Sequence, residues 1–110
     1  MLHRDWRISR GKEYNCIYNK GRRMAGKYMI VFSKENQLSH NRFGIVTSKK
    51  IGNAVIRNRA KRQIREVIRK NLNNLRPGFD VVVVARFNIK DTSFELIEKE
   101  FLRLMRKASI

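Results

Sequence analysis

The sequence holds one cysteine, one proline and two histidines in 110 residues, and nine acidic side chains against 26 Lys and Arg. Each scarcity excludes something. A lone Cys16 allows no internal disulfide and no thiolate metal cluster. It is expected as a small buried residue of a reduced, intracellular protein, not as a catalytic thiolate. With no Pro/Gly linker, no repeat and no low-complexity tract, the length predicts one domain over residues 1–110 with a modest core. His3 and His40 stand far apart, and each is expected at the surface. The carboxylates (Asp5, Glu13, Glu35, Glu66, Asp80, Asp91, Glu95, Glu98, Glu100) form no evident metal cage or general-base arrangement. Glu95, Glu98 and Glu100 are expected to balance charge along a single helix. The first residues, MLHRDWRISRGK, lack an apolar run of signal-peptide length, and no stretch approaches a membrane span. The expectation is a cytoplasmic protein that does not engage a membrane.

What the sequence has in abundance is positive charge. The formal net charge is +17 and the isoelectric point is near 11.2, yet 42% of residues are apolar, too many for a disordered polycation. A compact chain at this charge repels itself unless a polyanion neutralises it. Nucleic acid leads as the partner, and an anionic membrane surface is the rival. The charge is also focused. Residues 49–70 carry nine cations (Lys49, Lys50, Arg57, Arg59, Lys61, Arg62, Arg65, Arg69, Lys70) and one acid, Glu66. A smaller cluster comprises Lys20, Arg22, Arg23 and Lys27.

Periodicity supplies the elements. Tyr14, Ile17 and Tyr18 at helical spacing predict a short helix over 10–19, stopped by Gly21. The β-branched and aromatic residues of 27–33 predict a strand ending near Phe32, and 42–48 a second strand as its hairpin partner. Asn53 is a good N-cap for a helix from Ala54 to about Asn71. Pro77-Gly78 then supplies a turn, and FDVVVVAR (79–86) reads as a strand buried in the middle of a sheet. Thr92 or Ser93 caps a last helix from about Phe94 to Lys107, with Phe94, Ile97, Phe101, Leu104 and Met105 on one side. The αββαβα order predicts an α+β fold, a two-layer sandwich of helices on one sheet.

The long basic helix separates its functions by face. At 100° per residue, Ile56, Ala60, Ile64, Val67 and Ile68 fall within about 120° of arc, a core-facing stripe. Lys61, Arg65, Asn58, Arg69 and Arg62 form a ridge beside it, from about 60° to about 160° past Ile64. An ordinary solvated helix alternates charge signs to make i,i+4 pairs. This ridge is almost purely positive, so an external polyanion is expected to compensate it. Arg outnumbers Lys five to four in residues 49–70. Guanidinium forks suit phosphates and bases better than a lipid surface, and the apolar stripe is needed for the sheet rather than for a bilayer.

At these residues, RFGIVTSKKIGNAVIRNRAKRQIRE closely resembles the protein subunit of bacterial ribonuclease P. The likeness extends more loosely to EYNCIYNKG, to the strand near Phe32, to DVVVVAR and to the C-terminal helix. It implies a ribosomal-protein-domain-like fold whose mixed sheet contains a left-handed βαβ crossover through the basic helix, against the general right-handed preference. It implies a monomeric RNA-binding subunit that joins a catalytic RNA, and with it cuts the 5′ leader from precursor tRNA. Mg²⁺ would be held mainly by the RNA, with no catalytic residue and no cofactor in this chain. Two surfaces follow. Lys49, Lys50, Asn53, Arg57, Asn58, Arg59, Lys61, Arg62, Arg65 and Arg69 would contact the catalytic RNA. Tyr14, Tyr18, Phe32, Lys61, Arg65 and Arg86 would hold the leader. On spacing alone an i,i+4 aromatic pair faces a core more often than not; the resemblance implies a partly exposed wall for Tyr14 and Tyr18. Arg57 borders the core stripe and could equally be an ordinary ion-pairing residue. A non-catalytic ribosomal or RNA-assembly protein is the second reading. A DNA-binding protein is the third, since no helix-turn-helix pairing is apparent.

Overall fold

The computed structural model describes residues 6–8 and 11–110. His3, Asp5 and Arg10, the first residue expected in the leading helix, lie outside the described residues. The order is α1 (Gly11–Lys20), β1 (Arg22–Ala25), β2 (Met29–Glu35), β3 (Arg42–Val46), α2 (Ala54–Asn71), β4 (Phe79–Ala85) and α3 (Phe94–Lys107). The strands form one mixed sheet in the order β1-β2-β4-β3.

β4 explains that order. It has almost no polar side chain, so it needs a neighbour on each edge and cover on each face. It pairs antiparallel with β2 and parallel with β3, and Val81, Val82 and Val83 are fully buried. The expected hairpin between the second and third strands is therefore corrected, because β4 lies between them. The connection at 36–41 crosses two strand spacings, about 10 Å. The hairpin partner of β2 is instead β1, a strand not anticipated because RRMA is short and half charged, with only Met24 packing against the core. β2 also runs later than expected, which places Phe32 in its middle. β3 stops at Val46.

The sheet has two unlike faces. Met29, Val31, Phe43, Val81 and Val83 point to one side, where they pack with Ile64, Val67 and Ile68 of α2 and Ile97, Phe101 and Leu104 of α3. The α2 boundaries and stripe are as read from the sequence. Asn53 Oδ1 accepts the Ile56 N–H at 3.1 Å, Ala60 joins the buried stripe, and Ile56 is half-buried. Ser93 caps α3. Glu100 does balance charge along α3, pairing with Arg103 at 3.6 Å, but from a buried position at 6% exposure. Its carboxylate accepts the N–H groups of Lys27 and of Tyr28, the latter at 2.8 Å. It thereby fastens the β1–β2 turn to α3.

The other face is covered only in part, by α1. Ile17, Ile8 and Val82 are buried there, and Tyr14, Phe32, Val46 and Val84 are half-buried around them. Arg42 clamps α1 to the sheet. Its Nε and Nη2 donate to the two oxygens of Asp80 at 2.9 and 2.7 Å, and Nη2 also meets Glu13 of α1 at 2.7 Å. The paired carboxylates, led by the Asp80 hydrogen bonds, raise the Arg42 pKa further above its ordinary value. Cys16 was expected to be buried, but it is half-exposed beside this clamp. The α1 face that it occupies meets polar side chains at the sheet's end rather than the core.

Candidate nucleic-acid interface

Two surfaces built on α2 and α1 meet at shared residues. α2 follows a turn that exposes Lys49 and Lys50 while burying Ile51. Gly52, at φ +152°, permits the turn, and a side chain there would crowd Ile56. Past the Asn53 cap, Asn58, Arg59 and Arg62 are exposed, and Arg57, Lys61 and Arg65 are half-buried. Arg57 makes no ion pair among the described residues, and its Nε is shielded from solvent without a hydrogen-bond partner. The ordinary ion-pairing role for Arg57 does not describe its surroundings. Asn58, Lys61, Arg62 and Arg65, with the exposed Val55, line one shallow depression.

The far end of the helix behaves differently. Arg69 Nε donates to Glu66 at 3.0 Å, with a second, shorter contact through Nη2. Hydrogen bonding from Arg69 holds the Glu66 carboxyl below its usual range. Lys70 lies 3.4 Å from Glu98 and over the Phe94 ring. The bare charge is thus concentrated between Arg57 and Arg65, with Arg69 at its edge.

The second surface is the partly covered sheet face. Register sets Gly44, Val82 and Phe32 side by side across β3, β4 and β2, and α1 lays its tyrosines over that row. Tyr14 and Tyr18 have ring centroids 6.4 Å apart, and Tyr18 meets Phe32 edge-on at 4.9 Å. Tyr14 is half-buried and donates its hydroxyl to the Ile8 carbonyl at 3.2 Å, while Tyr18 remains 36% exposed. Burial raises the pKa of both phenols; at Tyr14, the neighbouring Tyr18 and Glu13 add to it. Both rings therefore stay neutral at physiological pH. The next row, Val46, Val84 and Ile30, is half-buried and uncovered, an apolar floor alongside α1.

Lys61 and Arg65 share a pocket with Tyr14. Together with Arg7, Ile8, Phe43, Gly44 and Ile45 these residues line one pocket at the cleft's end. Arg86 does not join that group. It lies four residues along β4 from Val82, at the far side of the floor, where Nη1 donates to the Gly26 carbonyl at 3.2 Å. Sequence reading missed two contributors. Arg7 is brought in by the bridge from its segment to Phe43 of β3, and no periodicity could reveal that pairing. Gly44 matters by lacking a side chain, because a Cβ there would fall 2.7 Å from Tyr14 ring carbons. Gly44→Ala is expected to cost about 1–3 kcal/mol through overpacking. Adding Tyr14→Ala should remove most of that cost in thermal unfolding; additive losses would show that the ring is not the cause.

Among the described residues, no three His, Cys, Asp or Glu side chains converge as metal ligands would. No described helix is long and apolar enough to cross a membrane. Compared with known proteins, the sequence pattern of the Ribonuclease P family matches residues 2–109. The Ribonuclease P protein component of Syntrophomonas wolfei is 44% identical over 110 residues, covering 100% of this chain and 92% of the relative. That of Fusobacterium nucleatum is 37% identical over 107 residues, covering 94% and 96%. Among solved structures, the RNase P protein of Staphylococcus aureus superposes with a TM-score of 0.86 at 34% identity, covering 94% of each chain. The RNase P protein of Thermotoga maritima gives 0.85 at 28% identity, covering 92% and 96%.

Proposed function

The chain belongs to the ribonuclease P protein family, and from that membership we propose that it works as the protein subunit of a ribonucleoprotein endoribonuclease. With a catalytic RNA it removes the 5′ leader from precursor tRNA. One observation carries the reading: Lys61 and Arg65 line both the basic depression on α2 and the Tyr14 pocket of the cleft. The two surfaces are therefore continuous, and an RNA seated on α2 delivers an adjoining single strand straight onto the aromatic wall.

Each surface has its own task. Arg57, Asn58 and Arg59 splay around the first turns of α2, close to its free N–H groups and positive dipole end. There they grip folded RNA phosphates from several directions, with Lys49, Lys50, Asn53 and Arg62 around them. In the cleft, Tyr18 and Phe32 offer ring faces to unpaired bases. Stacking on such rings tolerates any base, as a leader of variable sequence requires, and contributes about 1–3 kcal/mol per base. Arg86 borders the same floor. No resident ion is proposed for the chain itself. Hydrolysis is assigned to the catalytic RNA and the Mg²⁺ it binds, while the protein lowers phosphate repulsion and positions the substrate. The subunit acts as a monomer in the cytoplasm.

The test is reconstitution with the catalytic RNA at low Mg²⁺, following cleavage of precursor tRNA. The expected result is strong stimulation over RNA alone, larger for leader-bearing substrate than for binding of mature tRNA. Absence of stimulation would sink the proposal.

A further inference from the structure

The row formed by Gly44, Val82 and Phe32 does not end at β2. The β1–β2 register places Arg23 directly opposite Phe32, and Ala25 opposite Ile30. Directly opposed residues in an antiparallel pair project from the same face, with Cβ atoms about 5 Å apart. Arg23 therefore rises from the cleft face at the outer edge of the sheet, next to the ring that Tyr18 contacts edge-on. It is exposed and, among the described residues, no carboxylate pairs with it. Its neighbour Arg22 is opposite the buried Ser33 and so belongs to the other face.

The cleft thus has cations at both ends. Lys61, Arg65 and Arg7 stand at the β3 end, beside α2. Arg23 stands at the β1 end, three strand spacings away, or about 14 Å. Between them lie the aromatic wall and the uncovered floor of Val46, Val84, Ile30 and Ala25. An apolar trough with positive charge at each end fits an unpaired polynucleotide laid across the strands, bases toward the floor and phosphates toward the ends.

We propose that Arg23 is the outer phosphate anchor of the single strand. It fixes the strand's direction: in beside α2, over Tyr14 and Tyr18, and out across the β1 edge. This rests on the leader-binding reading above and assigns that site a limit and a polarity. The catalytic RNA is held on α2, so the part of the leader nearest the cleavage site enters at Lys61 and Arg65, and the part farther toward the 5′ end reaches Arg23.

The test uses the reconstituted holoenzyme, with precursor tRNAs whose leaders are shortened one nucleotide at a time from the 5′ end. Wild type should lose affinity at the step where the phosphate at Arg23 is removed. Arg23→Ala should lack that step, and with long leaders its salt slope should fall by about 0.7, one single-strand phosphate contact. Arg23→Lys should recover part of the affinity. Arg22→Ala removes the same charge from the opposite face and should leave the length profile unchanged. Equal effects of Arg22→Ala and Arg23→Ala would overturn the proposal in favour of diffuse attraction. No effect of Arg23→Ala would overturn it as well. Tyr18→Ala separates the two levels. If it abolishes the leader preference while Arg23→Ala does nothing, only the outer anchor is wrong. If neither variant alters leader dependence, the leader-binding reading and the anchor fall together.

Discussion

Arg42→Ala is expected to lower folding stability by about 3 kcal/mol, the range for breaking a largely buried ion pair. For a chain of this size that corresponds to a fall in Tm of about 12 °C. The loss arises from what is left behind. Asp80 is on the central strand, with a side chain only 10% exposed. Without the guanidinium it keeps one side-chain donor, Asn36 Nδ2 at 3.0 Å. Glu13 loses its hold on the sheet at the same moment, so α1, which carries Tyr14 and Tyr18, is released at one end. Thermal unfolding of Arg42→Ala and of Arg42→Ala with Asp80→Asn checks the cause. The second variant should recover a substantial part of the loss, because it no longer buries an unpaired charge. A loss below about 1 kcal/mol, typical of surface pairs, would mean that the clamp is an incidental contact.

The second large effect concerns affinity. Arg59→Ala with Arg62→Ala should weaken binding to the catalytic RNA by about 10- to 100-fold and reduce its salt slope by about 2, near 0.9 for each phosphate released. Both side chains are exposed and make no ion pair among the described residues, so the fold should be unaffected. Tyr18→Ala should do the opposite: leave catalytic-RNA binding intact and reduce the preference for leader-bearing over mature tRNA by about tenfold, one stacked base. Filter binding against salt, with parallel competition between the two substrates, separates the defects. The same defect from both variants would refute the division into two surfaces.

How far the sequence discloses these features depends on whether they are local. Helices α2 and α3 are legible because their starts are written in adjacent residues: Asn53 and Ser93 cap them through side chains that reach three residues onward. The α2 stripe and ridge follow from rotation alone. β1 is not legible, since a four-residue edge strand that opens with two arginines shows no alternation and little apolar content. Its partner Phe32 is named by the family resemblance, but Arg23 is found only once register is known. The false hairpin has a similar origin. Adjacent strands usually pair, yet β4 displaced that pairing through contacts between residues some 40 positions apart. Glu100 shows the same limit for polar groups. Its spacing resembles that of surface glutamates, and only the approach of the Lys27–Tyr28 turn gives it two backbone donors.

The unpaired cations between Arg57 and Arg65 also oppose one another. Dissolved salt screens that repulsion within the helix and favours the folded chain. The same salt weakens the complex by reducing the gain from counterion release. Ionic strength therefore acts with opposite signs on the protein and on its assembly. Assembly is expected to be strongest at an intermediate salt concentration, where the repulsion is screened and RNA binding is still favoured.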